Sequence, residues 1–272
     1  MHKIVLYCKS YRGDLERVKI LFDSVKKFNV DKIPFYLSCP KSDLELFVNT
    51  INDKDFNIIT DESINHNENL YNRGLPPRML AFSTRLSIWK SKLAENYFCL
   101  DSDAYFIRNF YIKDFMFDEK TPFTVMHEQK ELFNWSLPRT TTLGFDPQIG
   151  FTQERNKIMS LFDRTGKCYD FGPNPVIFHA KVLQSLDEFY LKPNGLNTEN
   201  LVSTSLDEYT WYGESLLVFD TIKIRPLEPI FKVFHYNGQY KDAKSQGYTE
   251  EHFSKLYLGI IMQSNANLPL KY

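Results

Sequence analysis

Asp101-Ser102-Asp103 is the triplet in this chain best suited to chemistry. Two carboxylates flank one small residue in the stretch Glu95 to Phe110, and together they make a pincer for a divalent cation. Such a cation can in turn hold a diphosphate. A bare Asp-x-Asp arises readily by chance, and a second copy, Asp53-Lys54-Asp55, lies in a polar run that reads as a solvated loop. The first copy differs because Tyr97-Phe98-Cys99-Leu100 precedes it and Ala104-Tyr105-Phe106-Ile107 follows it. Its acids interrupt residues that want burial, where uncompensated charge is costly.

Other candidates accompany the pincer. His235, at the end of the apolar run Phe231 to Phe234, could supply a third metal ligand. Asp207, Glu208 and Glu214 crowd a short acid- and aromatic-rich segment, SLDEYTWYGE. All three are candidates for a general base that takes a proton from an acceptor hydroxyl, Glu208 first, then Asp207, then Glu214. Acids at a helix start also complement the helix dipole, so the choice among them stays open. Arg12, Arg73, Arg78 and Arg85 precede the pincer and could neutralise phosphates, with Arg78 favoured because it opens the helix leading to the pincer strand. Ser10 in the first turn and Asp61 after the third strand are further donor-site candidates, Asp61 for a base or ribose. Asn174 and His179 stand around a Gly-Pro-Asn-Pro turn, where they could face an acceptor.

The elements that must position these groups follow from periodicity. Apolar runs at Lys3–Cys8, Pro34–Cys39 and Phe56–Thr60 read as strands. Between them lie a helix over 14–28 and a second helix capped by Ser42. A polar loop over 63–77 leads to a helix over 77–93 and then to the strand that ends at Asp101. This alternation predicts a mainly parallel, Rossmann-like α/β sheet flanked by helices, with ligands outside the carboxyl ends of its strands. The rest reads as a smaller mixed portion: a strand at Thr121–Met126, helices over 153–163 and 207–219, and strands at Val176–Phe178 and Lys232–His235. A final amphipathic helix is expected from Phe253, Leu256, Tyr257, Ile260 and Ile261. With no repeat or linker, one domain is expected over 1–272, with a nucleotide-binding half (1–107) and an acceptor-binding half (108–272).

Composition narrows the classes. Lys plus Arg (33) nearly balances Asp plus Glu (34), so charge gives no support to a nucleic-acid partner. Four cysteines lack zinc-ligand spacing, and Cys8, Cys39 and Cys99 fall in apolar runs as buried thiols. The start reads directly into a strand and no apolar run reaches membrane-spanning length, so the expectation is a cytoplasmic protein, with peripheral membrane attachment left open. The sequence lacks a Gly-x-Gly fingerprint, a Walker A loop, a His-Glu-x-x-His helix and a Gly-x-Ser-x-Gly elbow.

Taken in order, KIVLYCKSYRGD, YFCLDSDAYF, FGPNPVIF, SLDEYTWYG and FHYNG give a chain that resembles the GT-A-type glycosyltransferases, particularly bacterial ones in a family otherwise labelled a domain of unknown function. The resemblance implies sugar transfer from a nucleotide diphosphate donor to a glycan or lipid-linked glycan acceptor in surface-polysaccharide synthesis, aided by Mn²⁺ or Mg²⁺. It implies Asp101 and Asp103 as the metal motif, Asp101 also touching the donor, and His235 as the late histidine of the metal site. Glu208 matches the acid of the family's Ser-x-Glu-Tyr-like segment, with the extra acid Asp207 beside it. An inverting reaction is the expectation. The rivals are a haloacid-dehalogenase-type phosphatase, which also uses Asp-x-Asp, and a non-catalytic sugar- or nucleotide-binding protein.

Overall fold

Short runs of β-branched and aromatic residues form the central sheet, because both of its faces are covered and every position along them can be buried. A computed structural model of the chain describes residues 1–172 and 175–272. Its strands are β1 (His2–Lys9), β2 (Phe35–Cys39), β3 (Phe56–Thr60), β4 (Ala94–Leu100), β5 (Ala104–Phe106), β6 (Thr124–Val125), β7 (Val176–His179), β8 (Pro226–Leu227), β9 (Phe231–Phe234) and β10 (Gly259–Met262). The main sheet runs β3-β2-β1-β4-β7. Its first four strands are parallel, and β7 closes the edge antiparallel to β4. Along β1, Ile4, Leu6 and Cys8 pack into one core with the helix Leu15–Phe28, while Val5 and Tyr7 pack into the other with the helices Pro77–Ser87 and Glu208–Phe219. This is the expected α/β architecture of the GT-A type.

A second sheet, β5-β10-β9, sits beyond the carboxyl end of β4, and β6 pairs with β8 in a two-stranded ribbon. Here the structure departs from the pattern reading. The C-terminal helix stops at Ser254, having begun at Glu250, and Ile260-Ile261 lie in β10. The apolar spacing imitated a helix, but Gly259 and two adjacent β-branched residues favour a strand that pairs on both sides. Leu256, assigned to the apolar face of that helix, is 74% exposed. The strand at Thr121–Met126 shrinks to Thr124–Val125. Ser42 is not the helix cap: Asp43 precedes Leu44, and the Ser42 hydroxyl donates to its carboxylate at 3.2 Å. The expected 63–77 loop contains the end of a short helix, Asp61–Asn65, and a 3-10 turn, Leu70–Arg73. The 153–163 helix begins earlier, at Pro147, where Asp146 caps it and proline suits the first turn. No helix among the described residues is long and apolar enough to cross a membrane.

Two sequence segments meet at one glycine, Gly213, against Phe171. A Cβ at Gly213 would stand 2.0 Å from the Phe171 ring, so the helix Glu208–Phe219 packs onto Phe171 only because position 213 has no side chain. Gly213→Ala is expected to lower stability by about 1–3 kcal/mol through overpacking. Urea denaturation should show that loss, and a Phe171→Leu background should reduce it. An unchanged midpoint for Gly213→Ala would mean that this contact yields freely.

Candidate active site

The carboxyl end of β4 delivers Asp101, and two helices bring its partners. Arg85 comes from the last turn of Pro77–Ser87, and Glu208 opens Glu208–Phe219. The buried Arg85 side chain sets its guanidinium between the two acids: Nη1 is 2.5 Å from Asp101 Oδ1 and Nη2 is 2.6 Å from Glu208 Oε1. Phe82, one turn earlier, supports it with its ring centroid 4.8 Å from the guanidinium, and Arg78 approaches the same ring at 5.3 Å. Glu208 is wholly buried, and neither carboxylate oxygen receives a hydrogen bond of good geometry from the described residues. Burial pushes its carboxyl up to about 7; Arg85 opposes the rise, and Asp101 and Asp207 add to it. Asp101, Arg85, Glu208 and Arg78 line one cleft of about 800 Å³.

Asp103 faces a different wall. Its Oδ2 accepts from the Ser264 backbone N–H at 2.8 Å, while Oδ1 is buried without a partner. Burial first, then the charge of Asp101, push its carboxyl up to about 7. Burial also raises Asp14, whose carboxylate the Ser102 hydroxyl and Arg17 favour in opposition. Among the described residues, no three His, Cys, Asp or Glu side chains gather as a metal-binding group. The expected trio of Asp101, Asp103 and His235 therefore does not assemble here. His235 follows β9 and lines the same cleft, but the charged groups that act on it are Asp170, Lys232 and His127. Burial lowers its pKa to about 4, which leaves a neutral imidazole.

A second arginine organises the neighbouring wall. Arg155 places Nη2 2.7 Å from Asp170 Oδ1 and Nη1 3.2 Å from Asp207 Oδ2, with the Phe151 ring 3.8 Å from its guanidinium. Asp170 also receives Gln129 and the Gly172 N–H, and His127 Nε2 contacts the Gly172 carbonyl at 2.5 Å. Asp207 is the helix cap: its oxygens accept from the Thr210 N–H at 3.0 Å and the Thr210 hydroxyl at 2.7 Å. With both oxygens engaged, Asp207 is a poor base. Glu214 points away into a two-toothed pair with Arg164.

The remaining candidates divide. Arg12 is held by Asp43, through Nε at 2.7 Å, and pins a loop rather than facing the cleft. Asp61 is buried against Lys9 Nζ at 3.0 Å and the Tyr71 hydroxyl at 2.6 Å. Among the described residues its Oδ1 and the buried Ser10 Oγ nevertheless have no partner; they follow β3 and β1, parallel strands with β2 between them. His179 is opposite Asn96, toward the start of β4, and caps the helix Ala180–Ser185, so it lies away from Asp101. Asn174 lies outside the described residues. Asp53 pairs with Lys26 at the surface, as a solvated loop would. Sequence reasoning undervalued Arg85 and missed Arg155, Asp170 and Gln129. Residues 82–88 are all buried, but three of them are Ser or Thr, so no sequence signal marked Arg85.

Comparison with known proteins agrees with this architecture. Residues 3–164 match a family described as a family of unknown function, DUF6492, and the chain belongs to that family. No curated protein matches the sequence. Among solved structures, the chain is similar in fold to mouse xyloside xylosyltransferase 1 in its apo form, with a TM-score of 0.51 over 98% of this chain and 100% of that one. The two are 8% identical, so the likeness is one of fold.

The buried acids set a pH dependence. Glu208 rises from an ordinary 4.5, and Asp103 from 3.8, each to about 7 in the folded chain. The folded state therefore binds more protons than the unfolded one between those values, and stability falls as pH rises from about 4 through about 7. Glu208→Gln should flatten part of that slope in urea titrations run at several pH values. An identical slope would show that Glu208 ionises normally.

Proposed function

We propose that this chain transfers a sugar from a nucleotide diphosphate donor to an acceptor hydroxyl. The observation that carries the reading is the Asp101–Arg85–Glu208 array in a cleft at the carboxyl end of a GT-A-like sheet. Ser10 and Asp61, with buried unpartnered atoms at the ends of β1 and β3, are the groups for the nucleoside, and Arg78 for the diphosphate. Asp101 and Asp103 fit a hard divalent cation. Oxygen is the right donor, Asp103 Oδ1 has no partner among the described residues, and burial followed by the charge of Asp101 raises its pKa. His235 is placed for the cleft more than for that cation. Bound there, Mn²⁺ or Mg²⁺ would offset charge on the departing diphosphate.

Glu208 is the base in this reading, since a carboxyl titrating near 7 is matched to proton transfer at neutral pH. It takes the acceptor hydroxyl proton while that oxygen bonds to the anomeric carbon. The sugar–phosphate bond breaks with its electron pair on the nucleoside diphosphate, and configuration inverts. The acceptor is a glycan or lipid-linked glycan of a bacterial surface polysaccharide, met in the cytoplasm or at the inner membrane face. The phosphatase reading gains nothing from the fold, because its Asp-x-Asp belongs at the end of the first strand, and β1 ends in Lys9-Ser10.

Thermal shift against UDP-, GDP-, CMP- and dTDP-sugars with Mn²⁺ should single out one donor, because stabilisation grows with ligand concentration over Kd. Asp103→Asn is expected to weaken the metal-dependent part of that shift by about tenfold in apparent Kd, or about 1.4 kcal/mol. Glu208→Gln should bind donor normally and lose at least about 100-fold in transfer, within the range ascribed to acid–base catalysis. Retained anomeric configuration would remove Glu208 as base. Tight donor binding with neither transfer nor hydrolysis would favour the non-catalytic reading.

A further inference from the structure

The cleft has an aromatic wall that neither the donor nor the acids require. Tyr236 and Phe145 both line it, with ring centroids 6.1 Å apart and planes tilted by 57°. Tyr236 is backed by Trp135, stacked at 5.7 Å and 15°. Trp135 is itself fixed: its indole N–H donates to Asp242 Oδ2 at 2.8 Å, and the Arg139 guanidinium lies 4.9 Å from its ring centroid. Arg139 pairs with the same Asp242 at 3.0 Å. Tyr236 is thus held in place before any ligand arrives. Phe145 leaves 51% of its surface open.

We propose that Phe145 and Tyr236 form the acceptor subsite, an aromatic corner in which the open Phe145 ring takes one face of a pyranose beside the angled Tyr236 ring. The proposal rests on the transferase reading and names the kind of group that must lie beside the donor. A pyranose has an apolar C–H face and a rim of hydroxyls. The electron-rich face of an aromatic ring attracts polarised C–H groups, and rigid rings lose little entropy on contact. Hydrogen-bonding side chains suited to the hydroxyl rim, Gln129, Ser205 and His235, line the same cleft. A phosphate is a poorer occupant, because Arg139 and Arg155 are already paired with carboxylates. The donor's base has its own candidate groups at the ends of β1 and β3, away from Trp135 and Tyr236 in sequence and element.

Saturation-transfer NMR on the full chain, with methyl glycosides of glucose, galactose, mannose and N-acetylglucosamine as probes, tests this. At least one glycoside should receive saturation on its ring C–H protons. Phe145→Ala should weaken that binding about tenfold or more, the scale of one lost aromatic contact, and Phe145→Trp should retain it. Affinity for the nucleotide diphosphate, followed by thermal shift, should be the same in all three proteins. Phe145 is exposed, so circular dichroism should report an unchanged fold. No saturation of any glycoside, or equal saturation in Phe145→Ala, overturns the proposal. Loss of nucleotide affinity in Phe145→Ala also overturns it, since the wall would then hold the donor. Failure of the underlying reading looks different: the wild-type chain would bind no nucleotide, whatever the glycosides do.

Discussion

Everything near the cleft depends on keeping one guanidinium charged in a place that water barely reaches. Arg85 is 4% exposed, and its two carboxylate partners come from separate elements. A buried cation survives only if its donors are met, and removing one partner of such a pair costs about 3–5 kcal/mol. That requirement fixes three things together: the end of β4, the last turn of Pro77–Ser87, and the first turn of Glu208–Phe219. It also leaves an imbalance. Asp14, Asp101, Asp103 and Glu208 crowd a region where Arg85, Arg17 and Lys9 are the cations that act on them. Burial first, and the like charge of Asp101 after it, make two of the four acids hold their protons to about pH 7. A site so disposed lowers its energy by taking up positive charge.

The second arginine completes the geometry. Asp207 and Glu208 are adjacent in sequence, yet Arg155 takes the first and Arg85 the second. Asp207 has the non-helical backbone of a cap, φ −139°, and turns back to Thr210; Glu208, the first helical residue, turns inward. The helix start is clamped from two sides. This resolves the ambiguity of two neighbouring acids. The one with both oxygens engaged by Thr210 holds the helix, and the one that meets only the Arg85 guanidinium among the described residues is left for chemistry.

Much of the first half was legible because its signals are local. Strands of five to eight apolar residues alternate with helices, and Phe56–Thr60 was read to the residue. The placement of Asp101 beyond a buried strand followed from the same pattern. What could not be read was pairing. Arg78 and Arg85 look alike in sequence, a Pro77–Ser87 helix containing both, and only tertiary packing buries one and exposes the other. Arg155 and Asp170 carry no spacing signal, since a guanidinium finds its carboxylates in space.

The misread C-terminal helix shows why such an error reaches the site itself. Asp101 and Asp103 are two residues apart and would share a side in an extended chain. The chain turns instead, with the Ala104 N–H bonded to the Asp101 carbonyl at 3.1 Å. One carboxylate then faces the cleft and the other faces β10. Met262 donates its N–H to the Asp103 carbonyl at 3.0 Å, and Ser264 donates to the Asp103 carboxylate. A helix over 253–261 would have carried these donors elsewhere. The strand that replaces it is the second wall of the pincer, so the orientation of Asp103 is set by residues some 160 positions away.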